Sequence, residues 1–279
     1  MSTSPRIRIA HSPDPDDAFM FYALVQEKIP TGGFRFEHVL KDIESLNRSA
    51  LEGEYELTAL SFHAYAYVAD TYVLLTSGAS MGEGYGPLLV AREDMTVDDL
   101  SRTRIAVPGT LTTAFLVLRL LIPDVQHIVV PFDQIPEYVA EGKAEAGLLI
   151  HEGQLTYSAL GLRKVLDLGQ WWFAHTGLPL PLGGNAARRD LGEEVLRALA
   201  RLLRESIAYG LAHREEALNY ARAFGRGLDL ASTDRFVRMY VNELTLDCGE
   251  RGKAAIGLLL QMGYERGLLP RLVPVEFVE

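Results

Sequence analysis

A chain of 279 residues, 48% hydrophobic and 23% charged, has the material for one large core or two medium ones and is not composed like a disordered chain. Its formal charge of -10, from 27 Lys plus Arg against 37 Asp plus Glu, gives no general electrostatic reason to bind nucleic acid or an anionic membrane, although a few local donors can hold a small anion. Cys248 is the single cysteine, which excludes an intrachain disulfide or a cysteine-rich metal site; with neither a secretory h-region nor an apolar span of transmembrane length in the sequence, a cytoplasmic protein is expected.

RIRIA at 6–10 alternates basic and apolar residues as a strand does. It then enters HSPDPDDAF, whose prolines mark a turn and whose aspartates suit a helix start near Asp16 or Asp17. Strand-like content around 36–40 precedes an amphipathic helix, DIESLNRSALEG at 42–53. YELTALSFHAYAYVA carries a short strand into a turn and a further helix, placing Ser61 and His63 near a strand end. VLLTSGAS at 73–80 reads as a buried strand running into a glycine turn, and GEGYGPLLVARED at 82–94 contains another strand. The glycines that open this second segment match neither the dinucleotide fingerprint nor the nucleotide P-loop.

The next unit is clearer: RIAV is a strand, PGT a turn, and TTAFLVLRLLI a helix whose first turn would offer backbone donors to an anion. In HIVVPFDQIPEYVAEGKAEAGLLIHEG, a strand, a helix around 134–141 and the strand GLLI at 147–150 lead directly to His151. Helical patterns dominate after residue 191. GPLLVARED at 86–94 and PLPLGGNAARRDLG at 179–192 echo one another weakly, which suggests two connections between lobes. On that basis residues 1–94 and 183–279 form a first lobe and 95–182 an inserted second lobe.

Active residues of open α/β sheets lie beyond the carboxyl ends of strands, and an imidazole there is suited to acid–base work near neutral pH. His151 therefore leads the candidates, with Glu152 able to orient it and a satisfied turn histidine as the bland alternative. Thr112 and Thr113 can cap their helix, hold a carboxylate, or do both. From spacing alone Ser61 reads first as a turn or helix-cap residue and only second as a substrate contact, and at His63 a core histidine competes well with substrate binding. His11, Asp14, Asp16 and Asp17 tempt a metal reading, but a capped turn explains them and no diagnostic zinc spacing occurs. Core packing is favoured for Trp171, Trp172 and Phe173, and solvation for Arg188 and Arg189.

Taken together, SPDPDDAFMFYAL, KDIESLN, ALSFHAYAYV, PGTLTTAF, GLLIHEGQLTY and LDLGQWWFAHTGLPLPLG resemble the 1,4-dihydroxy-6-naphthoate synthase family of the futalosine route to menaquinone, over almost the whole chain. The resemblance implies a two-lobed α/β fold of the type II periplasmic-binding-protein-like kind with a central ligand cleft. It implies a carbon–carbon lyase that converts cyclic dehypoxanthinyl futalosine into 1,4-dihydroxy-6-naphthoate and dihydroxyacetone. The family's proton acceptor matches His151, and its substrate contacts match Ala59, Leu60 and Ser61 together with Thr113 and Ala114. One departure is SPDPDD: Asp14 and Asp16 stand where many relatives carry cysteine and asparagine, which leaves the role of that loop open.

The expected partner is a small anionic aromatic substrate, with no nucleic acid, membrane, metal or organic cofactor implied by the motifs; exposed helical faces would allow a homodimer. Two other readings stay open at this point. Chorismate dehydratase of the same pathway shares the architecture, and a non-enzymatic carboxylate binder would need only lobe closure.

Overall fold

The structure is a computed structural model that describes residues 6–278; residues 1–5, the head of the stretch searched above for a secretory signal, lie outside the described residues. Strand β1 (Arg6–His11) buries Ile7 and Ile9, as its alternation requires, while Arg8 between them pairs with Glu56. Helix α1 (Pro15–Val25) opens on a proline, whose missing N–H costs nothing in a first turn, and is buried along nearly its whole length. β2 (Arg35–Leu40) and α2 (Ile43–Leu51) follow. The Asp42 carboxylate caps α2 by accepting from the Ser45 amide at 3.0 Å. Next come β3 (Leu57–Ser61), α3 (Phe62–Val68), β4 (Tyr72–Leu75) and β5 (Ser80–Gly82).

The chain then crosses into the second lobe. There β6 (Leu88–Ala91), α4 (Val97–Leu100), β7 (Arg104–Val107), α5 (Thr113–Leu121), β8 (Gln126–Val129), α6 (Ile135–Ala140), β9 (Ala146–Leu149), α7 (Gly153–Thr156) and β10 (Arg163–Asp167) are arranged around a five-stranded sheet. The strand order is β10-β6-β9-β7-β8, with β7 parallel to β8 and β9, and β6 antiparallel to β9 and β10. The outward crossing therefore precedes Leu88, which corrects the boundary after residue 94. LLVA is a uniformly apolar run, and such a run does not reveal which sheet it joins. Nor are the two echoing segments equivalent: the first holds a strand of the second lobe, the second a strand of the first.

The return passes through α8 (Leu168–Thr176) into β11 (Leu180–Arg188), which lies antiparallel to β3, β4 and β5. The helices α9 (Glu193–Ala212), α10 (Arg214–Ala221), α11 (Leu230–Tyr240), α12 (Glu243–Leu246) and α13 (Gly249–Glu265) precede a last short strand, β12 (Phe277–Val278). The first lobe's sheet runs β12-β4-β11-β3-β1-β2, with β5 joined to β11. In α9, Leu196, Leu199, Leu203 and Ile207 recur at helical spacing and pack with α1 in one apolar cluster. A second cluster runs through both lobes and includes Phe62, Phe115, Trp172 and Leu259. The lobes thus share an apolar core on one side, and the carboxyl ends of β1, β3, β7 and β9 meet at the cleft between them.

Candidate active site

The cleft between the lobes holds about 710 Å³ of open space, the solvent at its mouth included. Ala59, Leu60 and Ser61 from β3, Thr113 and Ala114 from α5, and His151 beyond β9 all line it, so the residues singled out in the sequence come together. Ile43, Leu60, Ile150, Leu182 and Phe236 supply apolar surface for a flat ring. Asp16, Asp17, Gln154, Asn185 and Tyr240 supply polar groups that the sequence reading did not assign to a ligand.

His151 sits at φ 59°, a left-handed conformation uncommon outside glycine, and its backbone turns immediately into α7. Its Nδ1 stands 3.0 Å from Asp14 Oδ2, an ion-pair contact whose angle falls short of a formal hydrogen bond. The ring lies edge-on to Phe132 at 4.6 Å between centroids. Its Nε2 is buried and has no protein partner, on a side chain that faces the cleft. A carboxylate on Nδ1 favours the tautomer with its proton there and leaves Nε2 as the open acceptor.

Asp14 occupies the cap position of α1 but makes no capping bond; its other oxygen accepts from Arg226 Nη1 at 2.6 Å. The same Nη1 donates to Glu152 Oε1 at 2.8 Å, and the guanidinium lies 4.7 Å from the centre of the Phe132 ring. Burial alone would raise the Asp14 carboxyl, but the charges of His151 and Arg226 outweigh it and hold the group below the ordinary carboxylate value. An anionic Asp14 from the first lobe therefore faces an imidazole from the second. The carboxylate beside His151 is thus Asp14 and not its chain neighbour Glu152, which is taken up by Arg226.

The remaining aspartates of this turn differ sharply. Asp17 accepts from the Ser12 amide at 2.7 Å and the Ser12 hydroxyl at 2.8 Å; burial raises its carboxyl to about 6 against those hydrogen bonds. Asp16 meets only backbone amides of its own turn and its Oδ1 is buried without a partner; burial together with the nearby Asp17 and Asp14 outweighs those amides and pushes its carboxyl well above the ordinary value.

At the opposite end of the cleft, Thr112 caps α5 by accepting from the Phe115 amide at 3.2 Å. Its neighbours Thr113 and Ala114 occupy the first two helical positions, whose amides have no intrahelical acceptor, so capping by Thr112 leaves donors at this helix start that could meet an anion. Ser61 is fixed by Asn47, whose Nδ2 donates to the serine oxygen at 3.0 Å and whose Oδ1 accepts from the Ser61 amide at 2.9 Å. That leaves the Ser61 hydroxyl proton free for a ligand.

Several polar contacts close the lobes around this end. Glu44 Oε2 accepts from the Leu111 amide at 3.0 Å, Asn47 donates to the Leu111 carbonyl at 3.3 Å, and His63 Nδ1 donates to the Thr112 carbonyl at 3.1 Å. A Cβ at Gly109 would come within 2.2 Å of the Glu44 carboxylate, so any larger residue there would displace Glu44 from the Leu111 amide. On the far side Tyr240 donates to Gln154 Oε1 at 2.9 Å.

The other candidates have structural roles. His63 bridges the lobes, and burial lowers its imidazole to about 4. Trp172 is fully buried and donates to the Pro179 carbonyl at 3.0 Å. Arg188 pairs with Glu56 and Asp190, and Arg189 with Glu276. Arg226 had no sequence signal, lying 212 residues from Asp14 in a polar turn. Asn185, whose Oδ1 is buried without a partner, lies in a strand that reads only as small and apolar.

A family model described as menaquinone biosynthesis matches residues 7–265. A "1,4-dihydroxy-6-naphtoate synthase" of Thermus thermophilus is 48% identical over 262 residues, covering 94% of this chain and 95% of that one. The crystal structure of a protein from Archaeoglobus fulgidus is 49% identical and superposes with a TM-score of 0.91, covering 94% of this chain and 98% of the other. The alkanesulfonate-binding protein SsuA of Xanthomonas axonopodis pv. citri, at 14% identity, has a TM-score of 0.70 over 99% of this chain and 98% of its own; that likeness is one of fold, the two-lobed binding-protein architecture.

Proposed function

The chain belongs to the menaquinone biosynthesis family, and from that premise we infer that it is the lyase that converts cyclic dehypoxanthinyl futalosine into 1,4-dihydroxy-6-naphthoate and dihydroxyacetone. The observation that carries the mechanism is the pairing of His151 Nδ1 with buried Asp14 at 3.0 Å while Nε2 has no protein partner on a side chain that lines the cleft. In this reading His151 Nε2 accepts a proton from the sugar-derived part of the substrate. Asp14 orients the ring and stabilises the imidazolium that forms. The electron pair released drives cleavage of the carbon–carbon bond. The protons are then redistributed within the complex as the fused ring becomes aromatic; the two products together carry all the atoms of the substrate.

The aromatic body of the substrate would lie against Ile43, Leu60, Leu182 and Phe236. Its carboxylate would lie at the free amides of Thr113 and Ala114 with the Ser61 hydroxyl beside it. Closure by the polar contacts on both sides excludes water, which keeps the anionic intermediate from being protonated at random. The proposal includes a cytoplasmic setting, for which the single free cysteine is the support.

Purified protein incubated separately with cyclic dehypoxanthinyl futalosine and with chorismate, with products identified by mass spectrometry, tests the reading. Formation of 1,4-dihydroxy-6-naphthoate from the first alone is expected. Dehydration of chorismate would move the chain to the sibling activity, and tight binding of either compound by folded protein without conversion would make it a receptor.

A further inference from the structure

We propose that Asp16 presents a protonated carboxyl to the cleft and donates a hydrogen bond to the substrate oxygen on which negative charge gathers as His151 removes its proton. The proposal rests on the lyase reading above and adds a second catalytic residue to it. Three buried polar atoms without protein partners belong to side chains that line this cleft: His151 Nε2 from the second lobe, and Asp16 Oδ1 and Asn185 Oδ1 from the first; of the two from the first lobe, only a carboxyl oxygen can carry a proton to donate. A base at one wall needs a donor at the other, because the charge it creates must be met within the same closed space.

Asp16 is 8% exposed, and among the described residues no Lys, Arg or His forms an ion pair with it. The charged partners of the region are already committed. Arg226 and His151 serve Asp14, and the two Ser12 donors serve Asp17. Asp16 is left near those carboxylates with burial against it, and both raise its carboxyl and favour the neutral acid. A neutral carboxylic acid in an apolar wall is an effective donor to a developing oxyanion.

The other groups around the turn do not replace it in that role. His11 is stacked on Phe21 and meets the Ser12 carbonyl, and His38 meets His11. Tyr240, from α11, already donates to Gln154. Glu152 is held by Arg226, while Arg214 and Glu216 from α10 meet Phe19 and Tyr22 farther along α1.

The test compares Asp16→Ala and Asp16→Asn with the parent, each checked for folding by circular dichroism, in turnover of cyclic dehypoxanthinyl futalosine across pH. Asp16→Ala should lower kcat by about 100-fold with KM moved only a few-fold, the loss typical of one oxyanion donor, and Asp16→Asn by about tenfold or less. The parent's kcat should fall on the alkaline side as Asp16 ionises, and Asp16→Asn should lack that fall. An infrared carboxylic-acid C=O band at mildly alkaline pH, present in the parent and missing from Asp16→Asn, would report the protonated group directly.

Asp16→Ala at near-parent kcat would overturn the proposal, as would folded Asp16→Asn as slow as Asp16→Ala. If the parent itself fails to convert the substrate, the lyase reading falls, and the infrared band still decides whether Asp16 is protonated: its absence would sink this proposal independently.

Discussion

His11 and His151 both stand at the carboxyl end of a strand that points at the cleft, yet their surroundings make them opposite kinds of histidine. His11 ends β1 outside the cleft lining, stacking on Phe21 at 4.5 Å with Nδ1 3.0 Å from the Ser12 carbonyl. Burial lowers it to about 4, so it is neutral at ordinary pH. His151 is also largely buried, but it meets an anionic aspartate from the other lobe and keeps one nitrogen without a protein partner on a side chain that lines the cleft. Position at a strand end therefore nominates a histidine. A carboxylate arriving through space is what suits it to accept a proton.

That contrast can be broken in graded steps. Replacing His151 with Ala should cost the most: kcat should fall by about 1,000-fold or more while the thermal midpoint barely moves, and near-normal turnover of a folded variant would remove His151 from the mechanism. Asp14→Asn keeps the shape and removes the charge, so kcat should fall by about 100-fold with little change in KM, measured on the same substrate. If Asp14 serves only as a helix-turn residue, this variant will instead lose stability without that selective loss of kcat.

Arg226→Gln tests the support behind the pair. It should slow turnover by about tenfold, because Asp14 and Glu152 lose the cation that joins them across the lobes. X-ray scattering should show a more open average shape, and an unchanged scattering profile with unchanged kcat would deny Arg226 a part in closure.

The smallest effect concerns the other side of the comparison. His11, His38 and His63 each have imidazoles lowered by burial from 6.5 to about 4. Between those values the unfolded chain binds protons that the folded chain does not. Their stabilising contribution is therefore complete above pH 6.5 and drains away as pH falls toward 4. Asp14, whose folded carboxyl is depressed, adds stability that is lost only as pH falls further, through its folded value below 3.8. His11→Asn should flatten the dependence of the urea midpoint over the histidine window by on the order of 1 kcal/mol, with the coupling to His38 keeping the change modest. An unaltered slope would mean that His11 is not buried neutral.

Much of the fold was legible because its signals are local. The alternation in RIRIA, the Asp42 cap three residues before Ser45, and the strand–turn–helix order of RIAV, PGT and TTAFLVLRLLI each depend on neighbours within a turn or two. The family resemblance then marked Ala59, Leu60, Ser61, Thr113, Ala114 and His151, which the structure gathers in one cleft. The lobe boundary after residue 94 went astray because β6 is apolar on both faces, and its pairing with β9 and β10 is decided by strands more than fifty residues away.

By itself, the sequence determined that this is an α/β protein of alternating units with a histidine beyond a strand end, because periodicity, capping and turn chemistry are properties of adjacent residues. Only the tertiary structure decided that Asp14 meets His151, that Arg226 joins Asp14 to Glu152, and that Asp16 Oδ1 is left without a partner among the described residues. Those outcomes rest on charges brought within a few ångströms in a dry interior, where strength falls with distance through space and is indifferent to separation along the chain.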